Sequence, residues 1–196
     1  MITLDKEETP YYNFSIIAFD RGKPRRMAKA WVNIKLRDYN DNAPVFQSQH
    51  YNGETHENAA IGTVVVSLMI EDKDEEKNPV DFYIIDGDLQ GQFEVAKNGK
   101  LLVNKPLDRE ATASYELTVL ATDGKYVSKT WVTIIVSDVN DNPPICLKTK
   151  YTEMVSENIP PQTYILTVEA TDADSYDNSR LYFYLTGEGH QDFSID

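Results

Sequence analysis

The sequence predicts an all-β protein built from tandem β-sandwiches. Three observations carry that expectation. Apolar residues alternate with polar ones at period two, the chain repeats itself at an offset of 100 residues, and each repeat ends in an acidic cluster running into proline. Period-two alternation in short β-branched runs, broken by Gly, Asn and Asp turns, is the pattern of half-buried strands. No stretch holds a long apolar pattern at the helical period.

In chain order, Tyr12, Phe14, Ile16 and Ala18 alternate as a strand, which puts Asn13 on the water side. Trp31-Val32 lies on the last strand before the first acidic cluster, with Trp31 on the face opposite Val32. About seven strands follow in the next unit, beginning near Tyr51, Thr63, Asp81, Gln92, Lys100, Ser114 and Val127. Val64, Val66, Leu68 and Ile70 alternate in one of them. Tyr115, Leu117, Val119 and Ala121 do so in another, and Val132, Ile134 and Val136 in the last.

The repeat is legible residue by residue. Asp38-Tyr39-Asn40-Asp41-Asn42 precedes Ala43-Pro44, and Asp138-Val139-Asn140-Asp141-Asn142 precedes Pro143-Pro144. Trp31-Val32 recurs as Trp131-Val132, Glu57-Asn58 as Glu157-Asn158, Asp72-Lys73-Asp74 as Asp172-Ala173-Asp174, and Asn78 as Asn178. Nearer the start the offset becomes 103: Leu4-Asp5-Lys6-Glu7 matches Leu107-Asp108-Arg109-Glu110, and Asp20 matches Asp123. The change falls in the basic loop Arg21 to Arg26, where length varies at little cost. The expected layout is the second half of a unit with its linker over 1–43, a complete unit with its linker over 44–143, and the first half of another over 144–196. The chain reads as a window on a longer array, whose end pieces leave apolar faces uncovered.

Composition limits the function classes. A net charge of −13 and a pI near 4.6 argue against nucleic acid and anionic membrane surfaces, while 41% hydrophobic residues suffice for real cores. The single cysteine, Cys146, excludes a disulfide framework; at the position of Phe46 one unit earlier, it is expected in a half-buried strand. Neither a signal peptide nor a membrane span is visible, which says nothing about a segment from inside an array.

Four of the five side chains in each linker cluster are hard oxygen donors, suited to calcium rather than to zinc or to the tighter octahedron of magnesium. His50, His56 and His190 lack metal-site spacing and are expected at the surface. An enzyme is not expected. There is no Gly-rich phosphate loop and no nucleophile elbow, and His190, Asp192 and Ser194 come without an oxyanion segment. Small-molecule substrates are therefore not expected either. Glu75, Glu76 and the Lys23-Pro24-Arg25-Arg26 loop read as solvated, and Trp31 and Trp131 as surface aromatics. Asn13-Phe14-Ser15 is an N-glycosylation sequon at Asn13.

Leu107-Asp108-Arg109-Glu110, Ala121-Thr122-Asp123, Asp138-Val139-Asn140-Asp141-Asn142 and Asp172-Ala173-Asp174 together resemble the extracellular repeats of cadherins, over essentially the whole chain. The wording Asp141-Asn142-Pro143-Pro144-Ile145-Cys146 is similar to long members of the Fat or protocadherin kind. The resemblance implies seven-stranded Greek-key sandwiches with three calcium ions in each junction between repeats. It implies a first junction formed by Asp5, Glu7, Asp38, Asn40, Asp41, Asp72, Asp74 and Asp123 with carbonyls of Tyr39, Asn42 and Asn78. The second would use Glu57, Asp108, Glu110, Asp138, Asn140, Asp141, Asp172 and Asp174 with carbonyls of Val139, Asn142 and Asn178. Asp20 and Glu157 would serve neighbouring junctions, and Lys6 stands where the family has arginine. The implied function is calcium-dependent cell–cell adhesion or recognition on the outer side of the plasma membrane. The implied partner is another cadherin-type ectodomain, homophilic or heterophilic, and the membrane anchor lies outside this chain. A calcium-stiffened spacer without adhesive contact is the alternative reading.

Overall fold

Alternation of small β-branched and aromatic residues builds strands throughout the computed structural model, which describes residues 4–74, 79–176 and 178–195. Chain order runs β1 (Tyr11–Phe19), β2 (Met27–Lys35), β3 (Val45–Phe46), β4 (His50–His56), β5 (Val64–Ser67), β6 (Ile70–Glu71), β7 (Asp81–Asp86), β8 (Phe93–Val95) and β9 (Lys100–Val103). It continues with β10 (Ser114–Thr122), β11 (Val127–Ser137), β12 (Ile145–Cys146) and β13 (Ala170–Thr171), and a 3₁₀ turn at His190–Asp192. Among the described residues no helix is long and apolar enough to cross a membrane.

Between β3 and β11 two sheets face each other. One has the order β4-β11-β10-β7, with β4 parallel to β11 and the other pairs antiparallel; the second has the order β5-β9-β8, flanked by the short β3-β6 pair. The seven expected strand starts fall within one residue of β4, β5, β7, β8, β9, β10 and β11. The two-residue strands β3 and β6 have no sequence signature, because two residues cannot show a period.

The core lies where the inward faces meet. Leu117 and Val119 on β10 and Val132 and Ile134 on β11 are fully buried against Phe93, Leu101 and Val103 of the opposite sheet. Thr130 is equally buried; its hydroxyl donates to the Ser48 carbonyl at 3.0 Å and ties the entry of β4 to β11. Val64 to Ile70 departs from simple alternation. The register of β5 on β9 shifts between Val64 and Val66, so Val65 and Val66 both pack on the core while Val64 stays exposed. A bulge of this kind adds one residue to a strand and resets which face the next residue occupies. Gly87, at φ +88, follows β7 where an added Cβ would lie 1.9 Å from the Glu116 carbonyl oxygen, so no side chain fits.

β1 and β2 repeat the hairpin β10-β11 strand for strand: Phe14 pairs with Val32 as Leu117 pairs with Val132. With no opposing sheet among the described residues, Phe14 and Ile16 are 45% and 56% exposed, where Leu117 and Val119 are at 0%. The same pattern thus forms the same hairpin, but burial comes from its partner. After the second linker β12 pairs with β13 as β3 pairs with β6. Cys146 corrects its expectation. It is exposed, because the β12-β13 pair has no opposing sheet among the described residues to cover it. His50, His56 and His190, both tryptophans and Asn13 lie on the surface.

Leu117→Ala opens a cavity in this core and is expected to cost about 2–5 kcal/mol. Chemical denaturation read by tryptophan fluorescence measures the loss.

Candidate metal centres at the two linkers

Three chain segments meet at each acidic linker, and each is held by hydrogen bonds that its own sequence supplies. In the Asp-x-Glu segment before the linker, the Asp108 carboxylate accepts the Ala111 N–H at 2.9 Å, as Asp5 accepts that of Glu8 at 3.1 Å. Such short side-chain-to-backbone bonds fix tight turns. In the Asp-x-Asp segment after it, Asp172 accepts the Asp174 N–H and Asp72 that of Asp74, both at 3.0 Å. The linker is tied forward by its last residue. The Asn42 side-chain amide donates to Asp74 at 2.8 Å, and Asn142 to Asp174 at the same distance.

These turns bring carboxylates from all three segments together. Glu7, Asp41 and Asp74 offer oxygens within 4.8 Å of one another, and so do their counterparts Glu110, Asp141 and Asp174. A second group at the first linker joins Asp72, Asp74 and Asp123. At the second linker another joins Glu57, Asp108 and Glu110. Overlaid through the repeat, the two linkers display three kinds of group, one of them common to both.

Desolvation, with repulsion behind it, weakens the acidity of these groups. Desolvation, followed by the charges of Glu57, Asp174, Asp108 and Asp138, pushes the Asp141 carboxyl above the usual range. Desolvation, with Asp74, Asp123 and Asp38 behind it, pushes Asp72 up although it accepts a backbone N–H. Glu110 is raised by desolvation and by Glu57, against the pull of Arg109. Glu7 is raised too: its own backbone N–H lowers it, but desolvation and its neighbours Asp5, Asp38 and Asp41 outweigh that bond.

Two acids behave oppositely. Desolvation works against Asp138, yet the Asn178 amide, the Ser175 N–H and the Arg109 guanidinium hold it below the usual range. Its Oδ2 accepts from Asn178 Nδ2 at 2.8 Å and from the Ser175 N–H at 3.1 Å, and Arg109 Nη1 stands 3.5 Å from Oδ1. Asp123 is likewise lowered against desolvation, by the N–H groups of Tyr126 and Lys125 and the Asn40 side chain. At the first linker Lys6 Nζ sits 3.1 Å from Asp38, so the lysine takes the place that Arg109 has beside Asp138.

Glu57, 4% exposed, is tethered at both oxygens: Oε1 accepts the Val139 N–H at 2.7 Å and Oε2 the Arg109 N–H at 2.8 Å. Asn40 Oδ1, Asp72 Oδ2, Asp123 Oδ2, Asp138 Oδ1 and Ser175 Oγ are buried without a hydrogen-bond partner. Buried oxygens are rarely left so. An all-oxygen donor set with unsatisfied lone pairs fits a hard cation such as calcium, and Asn40, Asp72 and Asp123 would hold it at the first linker.

Of the expected ligands, Asp5, Asp38, Asp138 and Asp172 stand outside the four carboxylate groups among the described residues. Asn78, Glu75 and Glu76 lie outside the described residues. Tyr39, Asn42, Val139, Asn142 and Asn178 enter through further contacts that sequence reasoning missed: the Tyr39 ring, the Val139 N–H and the asparagine amides. Only the asparagines gave a signal, through their recurrence at the repeat offset. Asp20 makes an ordinary loop turn, accepting the N–H groups of Gly22 and Arg26.

Residues 51–137 match the family model described as the cadherin domain. The chain is 47% identical over 195 residues to the Fat-like cadherin-related tumor suppressor homolog of Drosophila melanogaster, an alignment covering 100% of this chain and 4% of that protein. It is 38% identical over 199 residues to Protocadherin Fat 2 of Mus musculus, covering 98% of this chain and 5% of that one. The crystal structure of mouse cadherin-23 EC22-24 superposes with a TM-score of 0.84 at 35% identity, over 100% of this chain and 64% of that one. The chain thus spans a small fraction of the length of these curated relatives.

Asp141→Asn keeps the shape of the linker and removes one charge from the Glu110, Asp141 and Asp174 group. Calcium affinity at the second linker is expected to fall on the order of 10-fold, since ligand charge sets affinity in such oxygen sites. Isothermal titration calorimetry measures that loss, with thermal unfolding of the sandwich unchanged as its control.

Proposed function

The chain belongs to the cadherin family, and from that premise we propose that it is a calcium-stiffened segment of a receptor ectodomain serving cell–cell adhesion and recognition. One observation carries the reading. The group of Glu7, Asp41 and Asp74 recurs as Glu110, Asp141 and Asp174, and in both copies the acids come from before, within and after a linker. A group divided in this way assembles only when neighbouring repeats hold one relative orientation. The repeat boundaries proposed are those of the sequence, 1–43, 44–143 and 144–196.

The chain's own residues set two opposed tendencies at each linker. The Asn42–Asp74 and Asn142–Asp174 bonds, together with the Asp138 contacts to Ser175 and Asn178, draw the following repeat towards the linker. The carboxylate groups push it away: desolvation first, and then the charges of neighbouring acids, hold the Asp72 and Asp141 carboxyls above the usual range. Bound calcium would supply the positive charge that cancels this repulsion, with Glu7, Asp41, Asp72, Asp74 and Asp123 at the first linker and Glu57, Asp108, Glu110, Asp141 and Asp174 at the second holding it. With the repulsion cancelled, the attractive bonds fix the linker, and a distal binding surface is presented at a set distance and angle.

The proposed partner is another cadherin-type ectodomain, on the outer side of the plasma membrane, with the anchor in parts outside this chain. No chemistry is proposed: the family is non-enzymatic, and the clustered acids act by charge and position. The Asn13 sequon lies on the exposed face of β1, where a glycan would meet water.

Small-angle X-ray scattering of the full chain tests the reading. In millimolar calcium the particle is expected to be long and narrow, with one well-defined maximum dimension. In EGTA the second linker is expected to lose its set angle, and the particle to relax to a broader distribution of shapes. Identical profiles in both conditions would contradict the proposal.

A further inference from the structure

Lys125 makes a contact that neither the repeat nor the carboxylate groups explain. Its ammonium donates to the Asn40 carbonyl oxygen at 2.6 Å, across a sequence separation of 85 residues. The same ammonium lies 4.6 Å from the ring centroid of Tyr39 and 4.7 Å from that of Tyr126. Tyr39 and Asn40 belong to the first linker, whereas Lys125 and Tyr126 belong to the turn between β10 and β11. The contact therefore bridges the linker and the body of the following sandwich.

The turn is built to aim the lysine. Asp123 Oδ1 accepts the N–H of Lys125 at 2.7 Å and that of Tyr126 at 2.6 Å. The Thr122 hydroxyl accepts the Gly124 N–H at 3.1 Å and donates to the Tyr126 carbonyl at 2.8 Å. Gly124, at φ +91, supplies the left-handed conformation that closes the loop. Asp123 therefore has two duties. One oxygen orients Lys125, and the other is left buried without a partner beside Asp72. Asn40 is divided in the same way: its carbonyl is held by Lys125, and its side-chain oxygen is buried and unsatisfied.

We propose that Lys125, held between Tyr39 and Tyr126, is a positioning residue: a clamp that needs no metal, sets Asn40 and keeps the first linker ordered when calcium is withdrawn. A cation over aromatic faces is attracted by their quadrupoles, and a charged donor strengthens its hydrogen bond to a carbonyl. Neither interaction requires calcium. The clamp's effect on Asn40 as a ligand rests on the calcium reading proposed above; its effect on linker order does not.

The second linker cannot be clamped in this way. Val139 stands where the first linker has Tyr39 and offers no ring to a cation. Its N–H donates to Glu57 of the preceding sandwich. The two linkers of this chain are therefore inequivalent in the absence of metal, although their acidic groups are copies.

Double electron–electron resonance on the full chain tests the clamp. Nitroxides at Asn33→Cys and Lys97→Cys, both exposed positions, report on the first linker in a Cys146→Ser background. In EGTA the parent is expected to give a narrow distance distribution. Lys125→Met, which keeps the stem and removes the charge, and Tyr39→Val, which writes the second linker's residue into the first, are expected to lose it. Lys125→Arg is expected to retain it, since a guanidinium stacks on rings and donates to carbonyls. In saturating calcium all variants are expected to share the parent's distance. Equal distributions for the parent and Lys125→Met in EGTA would overturn the clamp. Lys125→Met that broadens in EGTA and stays broad in saturating calcium would support the clamp and overturn the calcium reading, so the two ideas fail separately.

Discussion

Like charges forced together at the ends of the sandwich are the constraint on which the rest of this structure depends. Carboxylates of Glu110, Asp141 and Asp174 come within 4.8 Å of one another from three separate segments, and the copy at the first linker does the same. Water and salt screen such repulsion only in part where the groups are desolvated. The protein sets local donors around this end: the Ala111 N–H takes an Asp108 oxygen, the Asp174 N–H an Asp172 oxygen, and the Asn142 amide an Asp174 oxygen. Those donors orient the acids without neutralising them. What remains is a set of oxygens in position for a cation.

The sandwich supplies the rigidity that this arrangement needs. β10 and β11 pair along the whole of β10, and their inward residues from Leu117 to Ile134 are fully buried. The turn joining them carries Asp123, and the end of β11 leads directly into the Asp138 cluster. Acids at both ends of one packed hairpin are thus fixed to each other through the core. Glu57 adds a tie at the second end, bonding the Asp-x-Glu turn and the linker at once.

Much of this was legible in the sequence because strands and metal-type clusters both leave periodic traces. The starts of β4 to β11, apart from the two-residue β6, follow from alternation and turn residues, and the acidic segments follow from the repeat offset. The bulge at Val65 was not legible: Val64, Val65 and Val66 are chemically alike, and only the register on β9 decides which of them faces inward. The exposure of Cys146 depends on what stands opposite it, which no local pattern records. Lys125 was hidden for another reason. Its partner Asn40 lies 85 residues away, and the Tyr39 ring becomes Val139 in the second linker, so the repeat that exposed the other contacts is silent about this one.

Anomalous scattering from crystals of the full chain grown in calcium is the most direct measurement of the central claim, that acids from three segments share ions at each linker. The expected result is an anomalous peak bonded to Glu110, Asp141 and Asp174 together, with a matching peak at Glu7, Asp41 and Asp74. Peaks confined to carboxylates of a single segment, or none at either linker, would contradict it.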